Sequence, residues 1–300
     1  MSLALPLALA LAAPLPVAAP AAGPTPIYGG GPVEPGAWPE VVAVMIPGGI
    51  CTGTLVSDRV VLTAAHCLDD SHSAAALQVR RGDDVTSPGT PVVAVERFGV
   101  HPQFCDDLET CKVDTWDYGY LVLAEPIVGV TPARPLVTQA EWDEAMQPGG
   151  LVTLVGFGYS ETGPTHIKRQ VDVPITRFSP SGLEFQAGGM GLDSCTGDSG
   201  GPAFATLASG EVVIAGVTSR GNLTCGKGGI YAIPYAALCW LDAETGTALG
   251  DPACDACDCL VTAPAREDRC GCAASDPATP LLALLLVLAR PRRPRPRARP

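Results

Sequence analysis

Short apolar runs rich in β-branched residues recur along the chain, each bounded by Gly, Pro or Asp. They are VVAVMI (41–46), TLVSDRVVLTA (54–64), PVVAVERF (91–98), YLVLAEPIV (120–128), LVTLVGFG (151–158) and EVVIAGVTS (211–219). Strand-length runs separated by turn formers predict an all-β sandwich or barrel. Only two places read as helical, residues 139–146 and 234–241. No 3.6-residue stripe elsewhere is long enough to compete.

The two ends follow a different pattern. Residues 3–19 form an apolar run closing on small residues, the pattern of a secretory signal peptide, with a cut expected between Ala18 and Gly23. A buried N-terminal helix is the competing reading, and Pro6, Pro14 and Pro16 stand against it. At the other end, Cys270-Gly271-Cys272 precedes a polar spacer, nine apolar residues (281–289) and an Arg/Pro tail. Nine residues fall well short of the roughly 20 that span a bilayer. The order resembles the C-terminal sorting tails of myxobacterial surface proteins, which implies membrane recognition and removal. A solvated basic tail on a short apolar segment is the plainer alternative.

Composition then narrows the function. The 300 residues carry a net charge of −12, and six of the 19 basic residues lie in the last 11 positions, so the body is more acidic still. Such a body repels phosphate backbones, which excludes nucleic acid as a partner. Twelve cysteines in an exported chain point to disulfides rather than reactive thiols.

Three segments carry the chemistry. In chain order they are Thr63-Ala64-Ala65-His66-Cys67, Asp117 ahead of the apolar run 120–123, and Gly197-Asp198-Ser199-Gly200-Gly201-Pro202. A serine hydroxyl needs a neighbouring base, and histidine is the side chain that titrates near neutral pH. A carboxylate fixes the imidazole tautomer and stabilises the imidazolium. Asp106, Asp107 and Asp114 compete locally for that role but sit in a polar loop around Cys105 and Cys111. His72, His101 and His166 lack comparable context.

These motifs, in this order, resemble the chymotrypsin/trypsin family of serine proteases over roughly residues 27–248. The resemblance implies two packed six-stranded antiparallel β-barrels with a short C-terminal helix and the site in the cleft between them. It implies catalytic His66, Asp117 and Ser199, with an oxyanion hole from the backbone N–H groups of Gly197 and Ser199. Each such donor is worth roughly 3–4 kcal/mol in acyl transfer. Asp193, six residues before Ser199, falls where the family has its pocket floor, and an Asp there implies a preference for Arg or Lys. Ser219, Gly221 and Gly229 match the pocket walls, while Arg220 stands where the family usually has Trp. A second cation there would weaken binding of basic residues or pair with an acid in the substrate.

Ile27-Tyr28-Gly29-Gly30 resembles the family's mature start, usually Ile-Val-Gly-Gly. In the family a freed α-ammonium pairs with the Asp before the serine, here Asp198. Pro26 replaces the usual Arg or Lys, so activation by a trypsin-like enzyme is not implied. Stepwise removal of residues 23–26 by a dipeptidyl peptidase cutting after proline is one route to Ile27.

The family also implies disulfides Cys51–Cys67 and Cys195–Cys225, and spacing alone suggests Cys105–Cys111. For Cys239, Cys254, Cys257, Cys259, Cys270 and Cys272 the connectivity is open among 15 pairings. A zinc set at 254, 257 and 259 is the alternative, without an accompanying histidine. No cofactor or metal is expected. The expected organisation is a signal (1–22), a pro-segment (23–26), a protease domain (27–248), a Cys-rich linker (249–279) and a sorting tail (280–300). The expectation is thus a monomeric, secreted or surface-displayed, bacterial serine endopeptidase acting on proteins or peptides. A catalytically silent binding or adhesion module on the same scaffold is the reading from another class.

Overall fold

A computed structural model describes residues 27–71, 73–106, 111, 114–160, 165–222, 224–254 and 259–262. The signal, the pro-segment, most of the Cys-rich linker and the tail lie outside the described residues.

The first barrel is built from β2 (Val41–Ile46), β3 (Gly49–Leu55), β4 (Val60–Thr63), β5 (Gln78–Arg80), β6 (Val92–Val100) and β7 (Gly119–Leu123), after a two-residue β1 (Gly31–Pro32). It closes in the order β2-β3-β4-β7-β6-β5. The second barrel comprises β8 (Leu151–Gly156), β9 (Arg169–Phe178), β10 (Glu184–Ala187), β11 (Pro202–Thr206), β12 (Val212–Gly221) and β13 (Gly229–Ala232). Its order is β9-β10-β13-β12-β11-β8, the β8–β9 pairing closes it, and β1 adds to the outside of β9. Every pairing between these strands is antiparallel. These are the two six-stranded barrels that the motifs imply.

Helices are few. Helix α1 (Gln139–Ala145) starts on a capping box, in which Thr138 Oγ1 accepts from Glu141 N and the Glu141 carboxylate accepts from Thr138 N. Helix α2 (Leu238–Thr245) follows a 3₁₀ turn over Pro234–Ala237 and stops at Gly246, which takes a left-handed conformation.

Each barrel has its own apolar interior. Val42, Val44, Leu62, Val79 and Leu121 fill the first, and Val152, Val173, Phe185, Val213 and Tyr231 the second. Trp38 stacks on Phe204 across the seam, with ring centroids 4.8 Å apart.

Two sequence runs divide differently from the expectation. The run 54–64 is not one strand: Ser57 Oγ accepts from Arg59 N and Val60 N and turns the chain back between β3 and β4. The run 120–128 leaves the sheet at Leu123, just before Glu125-Pro126, where proline offers no ladder donor.

Candidate active site

Strand register assembles the base. Thr63 pairs with Gly119, so His66, three residues past Thr63, meets Asp117, two residues before Gly119. Asp117 Oδ2 accepts from His66 Nδ1 at 2.7 Å, and Asp117 Oδ1 accepts from the His66 backbone N at 2.9 Å. Ser219 Oγ donates to Asp117 Oδ2 at 2.6 Å, a partnership that sequence reasoning missed because it had placed Ser219 only in the pocket wall. The Asp117 side chain is buried, whereas the imidazole is about one-third exposed to the cleft. With Nδ1 donating to a carboxylate, Nε2 is left as the basic nitrogen.

The loop that carries Ser199 is clamped from both barrels. Thr52 N on β3 donates to Ser199 O, and Thr52 Oγ1 donates to Gly197 O. Gly200 N donates to Thr218 O on β12. A side chain is forbidden at Gly200, where φ is +80° and a Cβ would lie 2.0 Å from Thr63 Oγ1. In the same loop the amides of Asp198, Gly200 and Gly201 are all spent on carbonyls, whereas those of Gly197 and Ser199 have no acceptor among the described residues. Two unspent N–H groups flanking a serine are what an oxyanion hole requires. His66, Gly197 and Ser199 line one cleft of about 680 Å³, together with His166 and Tyr159.

Behind Ser199 opens a second pocket of about 210 Å³, lined by Ser194, Cys195, Ser219, Gly221 and Cys225. Asp193 is buried close by: its Oδ2 accepts from Gly226 N at 3.1 Å and Gly228 N at 2.9 Å. Its Oδ1 is buried without a hydrogen-bond partner among the described residues. Burial pushes the Asp193 carboxyl above the ordinary aspartate range, against the pull of those backbone donors. A Cβ on Gly229 would lie 3.2 Å from Asp193 Oδ1 and 3.0 Å from Ser194 Oγ, so any side chain there would close on the carboxylate. The unpartnered oxygen is an acceptor awaiting a donor.

Arg220 also lines this pocket, but its charge is already paired. Its guanidinium forks onto Glu184, Nη2 to Oε2 at 2.5 Å and Nη1 to Oε1 at 2.8 Å, and Nη1 also donates to Thr115 Oγ1. The rim cation, expected from the sequence either to weaken binding of basic residues or to pair with an acid in the substrate, is thus paired with an acid of the protein itself. Glu184, buried on β10, was not foreseen; the one signal was an acid set in the apolar stretch Leu183-Glu184-Phe185.

Around the N-terminal segment, Ile27 is buried in the second barrel, and Asp193 N donates to Tyr28 O. Asp198 is fully buried, accepting from Gly158 N and Cys195 N. Burial drives its carboxyl up to about 7, in spite of those two donors. In the 300-residue chain the Ile27 nitrogen is a peptide nitrogen, so the ion pair expected at Asp198 needs the cut first.

Disulfides join Cys51 to Cys67, Cys105 to Cys111 and Cys195 to Cys225. Cys254 is bonded to Cys259, which removes two of the three thiols of the zinc alternative, and Cys239 is also disulfide-bonded. Cys257, Cys270 and Cys272 lie outside the described residues. Cys51, His66 and Cys67 bring ligand atoms within 4.8 Å of one another, but their sulfurs are held in a disulfide and offer no thiolate. His101 stacks on Trp116 and meets Trp240 edge-on, a packing role. Asp106 lines a small cavity beside His66, and Asp114 accepts from Ser181 Oγ. Asp107 and His72 lie outside the described residues.

Two barrels with a His–Asp pair on one side of a cleft and a clamped serine loop on the other define a protein of the serine protease class. The family model described as Trypsin matches residues 27–241, and the chain belongs to that family. It is 34% identical over 222 residues to ovochymase-2 of Mus musculus, covering 67% of this chain and 36% of that protein. It is 30% identical over 252 residues to serine protease 56 of Mus musculus, covering 76% and 40%. Against phenoloxidase-activating factor 1 of Holotrichia diomphalia it is 30% identical over 210 residues, covering 60% and 56%. The chain thus spans well under two thirds of the length of these relatives.

Proposed function

We propose that this protein is an exported serine endopeptidase that cleaves after Arg or Lys through an acyl-enzyme. Ser199 Oγ attacks the scissile carbonyl carbon while His66 Nε2 takes its proton. The Gly197 and Ser199 amides hold the oxyanion, and the leaving amine departs with the proton from His66. Water then repeats the sequence on the ester and frees Ser199. Asp117, with Ser219 behind it, fixes the imidazole throughout. The observation that carries the specificity is the buried, unpartnered Asp193 Oδ1 beside the pocket, which a guanidinium or ammonium would satisfy.

Ile27 and Asp198 form the activation pair once the chain begins at Ile27. The disulfides of the barrels favour an oxidising compartment, and the apolar leader and Cys-Gly-Cys tail favour export with display at a bacterial surface. Its partners are protein or peptide substrates, with sorting machinery met only through the tail. The domain limits given above belong to the same proposal, as does action as a monomer.

A peptide library randomised on both sides of the scissile bond tests this reading. Cleavage after Arg and Lys, abolished in Ser199→Ala, is the expected result. Binding of a protein partner with no cleavage of any peptide, and equal binding by Ser199→Ala, would instead favour a silent binding module.

A further inference from the structure

Asp198 presents a problem that its two amide donors do not solve. Keeping a carboxylate charged wholly out of water is costly without a nearby cation, and none lies within 4.0 Å of it among the described residues. Gly156, at the end of β8, faces this carboxylate directly: a Cβ there would lie 2.2 Å from Asp198 Oδ1. The residue paired with Gly156 across the β8–β9 ladder is Arg169. Directly opposed residues of an antiparallel pair project from the same face of a sheet. Arg169 therefore rises on the face that looks onto Asp198.

Arg169 has an unmet need of its own. It is 7% exposed, and its Nε has no hydrogen-bond partner among the described residues. Asp198 is the acid whose charge acts on this guanidinium, offsetting part of the cost of its burial. Along the other edge of β9, Pro32 pairs with Arg169, and a Cβ on Gly30 would lie 2.3 Å from Gln170 O, so β1 packs closely on this end of the strand. A little-exposed cation on this face of the β8–β9 pair and a buried anion against the same face are thus neighbours, in surroundings where charges act over longer distances than in water.

We propose that Arg169 is a built-in counter-cation for Asp198, holding it and the adjoining 195–200 loop in the competent arrangement while residue 26 is still attached to Ile27. The inference rests on the endopeptidase reading and adds to it that cutting before Ile27 is not required for an assembled site. It also gives a reason why a chain with Pro26 at that junction can dispense with an Arg or Lys there. Arg169 is a positioning residue: it acts on the oxyanion amides through Asp198 and touches no substrate.

The test uses the chain in two forms, one with Pro26-Ile27 intact and one cut to begin at Ile27 by a cleavage sequence engineered just before it. Each is treated with a fluorophosphonate, and the rate of adduct formation on Ser199 is read by peptide mass spectrometry. The intact wild type is expected to label within about threefold of the cut form. Intact Arg169→Gln should label at least about tenfold more slowly and recover when cut, because the new α-ammonium then supplies the missing charge. Arg169→Lys should stay close to wild type in both forms. Equal labelling of intact Arg169→Gln and intact wild type would overturn the proposal. So would loss in Arg169→Gln that cutting does not restore, since that marks a merely structural role. Labelling of cut but not intact wild type would overturn it while leaving the endopeptidase reading standing. No labelling of either wild-type form would overturn both.

Discussion

Two aspartates in the cleft are about equally buried, and their surroundings treat them in opposite ways. Asp117 is saturated, accepting from the His66 ring, the His66 backbone and Ser219. Asp193 is left short, with one oxygen held by Gly226 and Gly228 and the other without a partner among the described residues. On the proposed reading, Asp117 holds the catalyst still and is complete before substrate arrives, because its task is orientation. On the same reading, Asp193 selects the substrate and is kept incomplete, so that the correct side chain relieves a cost the empty site bears. Arg220 sharpens the contrast, since it is a cation disarmed by Glu184 a short distance from an anion left armed.

Substitutions can break each half of this contrast separately. The largest effect is expected for Asp117→Asn, which keeps the volume but ends the stabilisation of the imidazolium. It should lower kcat by about 10³–10⁴-fold with KM little changed in steady-state assays of an Arg-terminated ester. Asp193→Ser should cost about 10²–10³-fold in kcat/KM for Arg substrates while sparing those with a neutral side chain. Retained Arg preference in that variant would remove Asp193 from the pocket floor. Ser219→Ala takes away one of three donors to Asp117 and should lower kcat about tenfold for every side chain alike.

Smaller effects probe the electrostatics of the rim. Glu184→Gln releases Arg220 and should reduce kcat/KM for Arg substrates by about two- to fivefold, more at low salt than at high. Acidification gives a further check with a definite sign. Burial raises the Asp193 carboxyl above its ordinary value, so it takes up its proton at a higher pH than a free aspartate. As pH falls through that raised value, the ratio of kcat/KM for Arg over Leu substrates should fall, and taking the ratio cancels whatever affects both substrates alike.

Much of this was legible from the chain alone, for reasons that differ from residue to residue. His66, Ser199 and Asp193 stand in local motifs whose spacing is fixed by one turn or one loop, so a few neighbours single them out as candidates. Strands β2, β8 and β12 could be read because their runs are continuous and apolar. Strand β9 was missed because buried and exposed residues alternate along it and Pro174 interrupts it, hiding a strand that nonetheless pairs on both sides. The short β10, β11 and β13 carry small or polar residues whose burial comes only from the neighbouring strands.

What the sequence hid most completely were partnerships across long separations. Glu184 meets Arg220 from 36 residues away, and Ser219 meets Asp117 from 102. The fate of Arg220 followed from that. As an isolated residue it looked like a threat to cation binding, and only the position of β10 turns it into half of an internal pair.

The most direct test of a saturated base beside an unsatisfied pocket is a matched pair of peptidyl phosphonates, one bearing a guanidinium side chain and the other leucine. Their rates of adduct formation on Ser199 would be measured by peptide mass spectrometry in wild type and in Asp193→Ser. Wild type is expected to react at least about 100-fold faster with the guanidinium reagent, and Asp193→Ser to erase this preference while its rate with the leucine reagent holds. Equal rates with both reagents in wild type would contradict it.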